Sequence, residues 1–157
     1  MISKDIKETE KIAKSFLDKI LKEKKKHKGA LVVGLSGDLG AGKTAFTKFV
    51  AKYLGIRDRV FSPTYVIMKK YPIAEQVRYG AGSLKKKLPY KFFFHMDAYR
   101  LKNEKELLNL GWEEITNNEE HLIFIEWPEN VSKAMPSHSK YIYISINKDE
   151  YRDFKLK

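Results

Sequence analysis

Residues 37–44 of the chain read Gly37-Asp38-Leu39-Gly40-Ala41-Gly42-Lys43-Thr44. This is a complete G-x-x-x-x-G-K-[ST] pattern, in which a glycine-rich loop closes its backbone N–H groups around phosphate oxygens. The apolar run before it, residues 30–35, is typical of a buried strand, and residues 44–54 after it have helical spacing. Because the pattern lies between a strand and a helix, it predicts a nucleotide site and not merely a glycine-rich turn.

The pattern also assigns chemistry to individual residues. Lys43 is expected to reach the β- and γ-phosphates, and the Thr44 hydroxyl is expected to bind Mg²⁺. The N-terminus of the following helix adds a dipole that favours anions. We therefore expect a nucleotide and Mg²⁺ as cofactors.

Composition limits the class of protein. A chain of 157 residues fits one domain, 1–157, and a hydrophobic content of 43% argues against disorder. The sequence contains no apolar run long enough to cross a membrane, and its polar N-terminus lacks a signal-peptide core. Cysteine is absent, which excludes disulfides, cysteine metal sites and cysteine nucleophiles and is compatible with a reducing cytoplasm. We therefore expect a cytoplasmic protein without a membrane partner.

The formal net charge of +11 makes a polyanion such as RNA an attractive partner. Lys and Arg together number 31, but only five of them are Arg, the residue favoured for bidentate phosphate contacts. A solvated lysine-rich surface explains the same charge. Direct contact with tRNA therefore stays an open alternative at this point.

Apolar periodicity, caps and turns predict the remaining elements. The predicted helices span residues 3–26, with Ser3 as N-cap, and residues 104–110, with Asn103 as N-cap and Gly111 as the end. The predicted strands span residues 65–71, 90–97, 122–125, 140–147 and 151–156, and a long basic loop, 72–89, joins the first two. This order predicts an α/β, P-loop NTPase-like three-layer sandwich. Its mixed sheet should have parallel core strands and antiparallel edge strands.

Two acidic residues at strand ends are candidates for the metal and for hydrolysis. Glu126 follows four apolar residues, the position from which an acid can hold Mg²⁺ directly or through water. Asp97 shares a strand face with His95 and could bind metal or orient water, while Arg100 could neutralise phosphate charge. The structural alternatives are a carboxylate that merely ends a strand and an Asp97–Arg100 ion pair.

Two further segments allow more than one interpretation. Residues 62–64, Ser-Pro-Thr, are either a loop that senses the nucleotide or a turn that starts a strand. Trp127 directly follows the acidic strand end. It is interpreted in one of three ways: as part of a second mobile segment, as a core residue, or as an anchor for a partner.

Five motifs occur in an order that resembles the TsaE family, the bacterial ATPases of tRNA threonylcarbamoyladenosine (t6A) biosynthesis. They are the loop at 37–44, Ser-Pro-Thr-Tyr at 62–65, His-Met-Asp-Ala-Tyr-Arg-Leu at 95–101, Glu-Leu-Leu-Asn-Leu-Gly at 106–111 and Ile-Glu-Trp-Pro-Glu at 125–129. The resemblance covers residues 3–130. Asp38 inside the loop and the pair Glu126-Trp127 are its most specific features.

The resemblance implies an ATPase that acts on the modification at position 37 of tRNA. Such a protein does not transfer the threonylcarbamoyl group itself but binds the transferase subunit and its paralogous partner, TsaD and TsaB, and supports their turnover. It implies ATP and ADP with Mg²⁺ as cofactors, with Lys43, Asp97 and Glu126 as catalytic residues and Thr44, Asp97 and Glu126 at the metal. The nucleotide-binding residues it implies are Thr9, near the adenine, and Asp38, Leu39, Gly40, Ala41, Gly42, Lys43 and Thr44.

Three other functions compete with this one. A small-molecule or nucleoside kinase usually carries an Arg-rich lid, whereas the only Arg after Glu126 is Arg152. A GTPase commonly has Asn-Lys-x-Asp, and here the Asp of Asn147-Lys148-Asp149 comes one residue early. A nucleotide-gated assembly module would use ATP binding, with little hydrolysis, to control docking to its partners. It differs from the ATPase only in how much ATP it hydrolyses.

Overall fold

The computed structural model describes residues 1–23, 28–58, 60, 63, 66–78 and 85–157. The strands are β1 (Ile2–Ser3), β2 (Leu31–Ser36), β3 (Met68–Pro72), β4 (Val77–Arg78), β5 (Lys85–Lys86), β6 (Phe92–Asp97), β7 (His121–Glu126), β8 (Lys140–Ile146) and β9 (Arg152–Leu156). The helices are α1 (Ile6–Lys22), α2 (Lys43–Tyr53), α3 (Glu104–Leu108) and α4 (Trp112–Asn117), and a 3-10 helix spans Pro128–Ala134.

Seven strands form one mixed sheet in the order β1-β9-β8-β2-β7-β6-β3. The central strand β2 pairs in parallel with β7 and β8, and β7 pairs in parallel with β6. The strands β3, β9 and β1 pair antiparallel with their neighbours at the two edges. The predicted fold class, with parallel core strands and antiparallel edges, is therefore confirmed. The strands β4 and β5 form a small separate antiparallel pair inside the loop 72–89.

Helices cover both faces of this sheet. Along β2, Val33 packs into the core beneath α1 and α2, whereas Val32 packs into a second core that contains Leu107 of α3 and Trp112 of α4. The alternation follows from the pleat of a strand, since successive side chains point to opposite faces. Burial of each large apolar side chain contributes about 1.5–3 kcal/mol, so both layers stabilise the sheet. Because β2, β7 and β6 pair in parallel, their carboxyl ends lie at the same edge of the sheet.

The first helix begins later than its sequence pattern suggests, so the prediction of Ser3 as N-cap is wrong. Ser3 lies in β1, opposite Arg152 of β9. Its hydroxyl donates to the Asp5 carbonyl oxygen (2.8 Å) and hydrogen-bonds the Thr9 hydroxyl (2.8 Å), so it is already engaged. Asp5 is the N-cap, because its carboxylate accepts from the Glu8 backbone N–H at 2.8 Å. The helix ends at Lys22, and residues 24–26 of the prediction lie outside the described residues.

Two other boundaries differ from the sequence prediction. The strand predicted at 65–71 begins at Met68, because Val66 and Ile67 donate their N–H groups to the Pro63 carbonyl in a turn. The helix predicted at 104–110 ends at Leu108, and Gly111 precedes a separate helix, α4, which no pattern had predicted. Within the described ranges, no helix combines the length and apolar character needed to span a membrane.

Candidate functional site

The phosphate loop, residues 37–42, connects the end of the central strand β2 to the start of α2. At Gly37 the loop passes close to β8: its φ is +143°, and a Cβ built there would lie 2.1 Å from the Ile144 carbonyl oxygen. The Ala41 N–H donates to the Asp38 carbonyl at 3.1 Å, which closes the loop. The predicted strand, loop and helix therefore occur in this order, with the loop at the carboxyl edge of the sheet.

Lys43 lies in the first turn of α2 and is only 4% exposed. Its Nζ donates to the carbonyl oxygens of Gly37 (2.6 Å) and Asp38 (2.9 Å), and it lies 3.9 Å from the centroid of the Trp127 ring. Burial lowers the pKa of Lys43, and the negative charge of Glu126 is the main influence that opposes this shift. The ammonium group is thus held at the loop by carbonyl dipoles and an aromatic face.

Glu126 links three elements at the end of β7. The Thr44 hydroxyl on α2 donates to both of its oxygens, at 2.9 Å to Oε1 and 3.1 Å to Oε2. The His95 ring on β6 lies with Nε2 2.8 Å from Glu126 Oε1. Glu126 is nearly fully buried, so these bonds fix its carboxylate beside the phosphate loop.

Asp97 stands beside Glu126, because the two residues are partners in the parallel β6–β7 pair. It is also buried, and its Oδ1 accepts a hydrogen bond from the Tyr99 backbone N–H at 2.9 Å. The turn after β6 therefore orients this carboxylate. Both acids that the sequence singled out come together at one point of the sheet edge.

A cavity of about 240 Å³ opens between these groups. Its walls include seven of the predicted site residues: Leu39, Gly40, Gly42, Lys43, Thr44, Asp97 and Glu126. Ala45, Tyr99 and Trp127 complete the wall, and the Tyr99 and Trp127 ring centroids lie 5.1 Å apart. Trp127 adopts a left-handed backbone conformation (φ 59°) at the start of the 3-10 helix, which turns its ring towards Lys43.

A second cavity, of about 300 Å³, is also lined by residues of the same loop. It shares Gly40 and Gly42 with the first cavity and is bounded by Thr9, Ala41 and Arg152. Thr9 is 4% exposed and is held by its hydrogen bond to Ser3. The structure thus brings Thr9, from α1, to the neighbourhood of the phosphate loop. Asp38 is exposed, and its backbone carbonyl is the group that contacts Lys43.

The remaining sequence candidates are Arg100, Ser62 and Thr64. Arg100 is exposed and lines neither cavity. Ser62 and Thr64 lie outside the described residues. Asn130 was not predicted from the sequence; its Nδ2 donates to the carbonyls of Ala98 (3.0 Å) and Tyr99 (3.3 Å) and so stabilises the turn after Asp97. Its position four residues after Glu126 was the only available signal.

The donor set at this edge fits Mg²⁺. In the part of the chain that the structure describes, no group of three or more His, Asp or Glu could hold a metal by itself. Mg²⁺ in nucleotide sites is typically held by one or two carboxylates together with substrate phosphates. The Thr44 hydroxyl and the carboxylates of Asp97 and Glu126 provide oxygen ligands of this kind beside the cavity.

Comparison with known proteins identifies the family. The family model "Threonylcarbamoyl adenosine biosynthesis protein TsaE" matches residues 3–154. The tRNA threonylcarbamoyladenosine biosynthesis protein TsaE of Bacillus subtilis (strain 168) is 35% identical over 122 residues, 78% of this chain and 66% of the relative. The TsaE protein of Rickettsia bellii (strain RML369-C) is 31% identical over 122 residues, 77% of this chain and 73% of the relative.

A solved structure agrees with these relatives. The crystal structure of Bacillus subtilis YdiB superimposes with a TM-score of 0.67 at 29% identity, covering 99% of this chain and 82% of that one. The alignments span about two thirds of the length of the first curated relative. The match over nearly the whole chain and the shared fold lead to one conclusion: the chain belongs to the TsaE family of threonylcarbamoyl adenosine biosynthesis proteins.

Proposed function

We propose that the chain is a Mg²⁺-dependent ATPase that supports the t6A modification at position 37 of tRNA. In this proposal it binds the threonylcarbamoyl transferase subunit and its paralogous partner, TsaD and TsaB, in the cytoplasm and couples ATP hydrolysis to their turnover. The observation that carries the ATPase proposal is the meeting of Lys43, Thr44, Asp97 and Glu126 around one cavity at the end of the phosphate loop. Membership of the TsaE family supports the link to t6A.

The side chains divide the work by their chemistry. The buried Lys43 ammonium and the loop N–H groups would bind the β- and γ-phosphates, since charge-assisted hydrogen bonds are strong where water is excluded. Mg²⁺, held by Thr44 and one or both carboxylates, would supply neutralisation of phosphate charge. Asp97 and Glu126 are also the groups available to orient an attacking water. The cavity beside Thr9 is the proposed site of the adenine.

The first cavity, which Lys43, Thr44, Asp97 and Glu126 line, explains why we expect slow hydrolysis by the chain alone. None of the described residues that line it is an arginine. Phosphate-loop enzymes that lack an arginine at the γ-phosphate hydrolyse slowly, and a partner can accelerate them by roughly 10³–10⁵. We therefore propose that the TsaD–TsaB pair stimulates the reaction. Whether the lysine-rich surface contacts tRNA directly is a separate part of the proposal, and a steep loss of tRNA affinity with salt is its expected signature.

The test begins with nucleotide binding by the isolated protein. Calorimetry with Mg²⁺ should show binding of ADP and of a non-hydrolysable ATP analogue, and Lys43→Ala should abolish or strongly weaken it. Lys48→Ala is the matched control, because Lys48 is exposed on the same helix. Glu126→Gln and Asp97→Asn should bind nucleotide but lose hydrolysis, whereas Glu114→Gln, an exposed acid on α4, should retain both. Wild-type turnover in both acidic variants would exclude these carboxylates from the reaction.

The second part is reconstitution with the TsaD–TsaB pair and tRNA. ATP turnover and modified tRNA should both rise when this chain is added, and Glu126→Gln should support neither. Full modification with the hydrolysis-deficient variant would instead favour a nucleotide-gated assembly module. Phosphoryl transfer to a nucleoside faster than hydrolysis would contradict the ATPase proposal in favour of a kinase.

A further inference from the structure

His95 is the residue of the site whose presence the proposed chemistry does not explain. It lies in β6 between Phe94 and Met96, and its side chain is completely buried. A polar ring in such a position is costly unless it is hydrogen-bonded, and an apolar residue would fill the same place without that cost. Phe94 directly precedes His95 and Phe93 lies on the same strand face, and both are buried, so the strand accepts aromatic rings here.

Only one of the two His95 nitrogens has a partner among the described residues. Its Nε2 lies 2.8 Å from Glu126 Oε1, whereas Nδ1 is buried without a hydrogen bond. An ionised carboxylate is an acceptor only, so Nε2 carries the proton and donates it. With the proton on Nε2, Nδ1 is left only as a bare acceptor, whereas a proton on Nδ1 would be a buried N–H donor without an acceptor.

The two oxygens of Glu126 are therefore not equivalent. Oε1 receives His95 Nε2 (2.8 Å) and the shorter of the two contacts from the Thr44 hydroxyl (2.9 Å). Among the described residues, only the Thr44 hydroxyl contacts Oε2, at the longer distance of 3.1 Å. Because a carboxylate oxygen offers two lone pairs, Oε2 retains capacity for a further ligand at the cavity, while Oε1 is saturated.

We propose that His95 is a positioning residue: it fixes the Glu126 carboxylate in the orientation that presents Oε2 to the Mg²⁺–nucleotide. The inference rests on the proposed function for its ligand but not on hydrolysis. A donor that hydrogen-bonds a metal-binding carboxylate fixes the orientation of that carboxylate and affects how strongly it binds the metal. Loss of such a donor typically lowers metal affinity or activity by 10–100-fold. A ring that serves packing alone would have no such effect.

The test compares His95→Phe, which keeps an aromatic ring but removes the donor, with His95→Gln, whose side-chain NH₂ can lie near the former Nε2. ADP affinity is measured by calorimetry with and without Mg²⁺. In His95→Phe the gain in ADP affinity on adding Mg²⁺ should fall by about tenfold or more, while metal-free ADP affinity stays within about twofold of wild type. His95→Gln should recover most of the gain. An unchanged gain in His95→Phe, or equal losses in the two variants, would overturn the proposal.

A measurement on the wild-type protein covers the case in which His95→Phe fails to fold. The ¹⁵N NMR shifts of the His95 ring should show the proton on Nε2 and none on Nδ1, and a proton on Nδ1 would refute the arrangement. The outcomes also separate the two proposals. A wild-type protein that binds Mg²⁺–ADP but never hydrolyses ATP, even with its partners, contradicts the ATPase function alone.

Discussion

Replacement of Gly37 by alanine is expected to destabilise the protein far more than the same change at Gly40. A Cβ at Gly37 would lie 2.1 Å from the backbone carbonyl oxygen of Ile144, whereas a Cβ at Gly40 would have no atom of the described residues within 4 Å apart from those of its chain neighbours. Both glycines have positive φ, which costs an alanine about 1–2 kcal/mol. At Gly37 the overlap also forces β8 and the loop apart, which adds about 1–3 kcal/mol, as for other overpacked sites.

Thermal unfolding without nucleotide measures this difference. For a chain of this size 1 kcal/mol corresponds to about 2–4 °C in the unfolding midpoint. Gly40→Ala should therefore lower the midpoint by about 2–8 °C, and Gly37→Ala should lower it by about 2–12 °C more than that. Gly40→Ala is the matched control for the backbone conformation, so the excess loss isolates the close approach to β8. Equal losses in the two variants would refute the claim that the loop is packed against this strand.

Three further predictions concern the site and the core. Trp127 lies against the Lys43 ammonium, whereas Trp112 does not line the cavity. ADP should therefore change the tryptophan fluorescence of the wild type but not that of Trp127→Phe. A fluorescence change that persists in this variant would contradict the placement of ADP beside Trp127. Burial lowers the pKa of Lys43, so between that pKa and 10.5 the unfolded chain binds more protons than the native protein. The free energy of unfolding of the wild type, measured in urea, should therefore rise with pH over this interval relative to that of Lys43→Met. A difference between the two proteins that does not change with pH would contradict the prediction. Burial raises the pKa of Tyr90 from 10.0 to about 12, so between these pH values the native state binds more protons than the unfolded chain. The free energy of unfolding should therefore fall by about 2 kcal/mol as the pH rises through this interval. Tyr90→Phe should lack this alkaline loss and the exposed-site control Tyr99→Phe should keep it, and equal pH profiles of the two variants would disprove the cause.

The parts of the site that the sequence predicted are those encoded by short contiguous segments. The phosphate loop lies within eight residues, and its glycines and Lys43 have roles that depend on local backbone geometry. Glu126 and Asp97 were found because each ends an apolar strand, and parallel strands bring such ends to one edge. The structure places both beside the loop, and their roles in hydrolysis remain predictions.

The parts that could not be predicted depend on partners distant in the chain. β1 is only two residues long and exists because β9, at the other end of the chain, pairs with it. Serine is a favoured N-cap residue, but Ser3 lies in the strand that pairs with β9, and Asp5 is the N-cap of the helix. Gly111 was interpreted only as the end of a helix, whereas its left-handed conformation also starts α4. Local propensity cannot decide between two such uses of one residue.

The position of Arg152 and Phe154 has a consequence for synthesis of the chain on the ribosome. The phosphate loop and the strand before it are complete within the first third of the sequence, but one wall of the cavity next to Thr9 is supplied by β9. A nascent chain therefore carries the whole loop long before that wall has emerged. The compartment beside the loop closes only when β9 has been translated and has docked against β8 and β1. Nucleotide retention by ribosome-bound chains should accordingly appear late, as one step, after β9 leaves the exit tunnel.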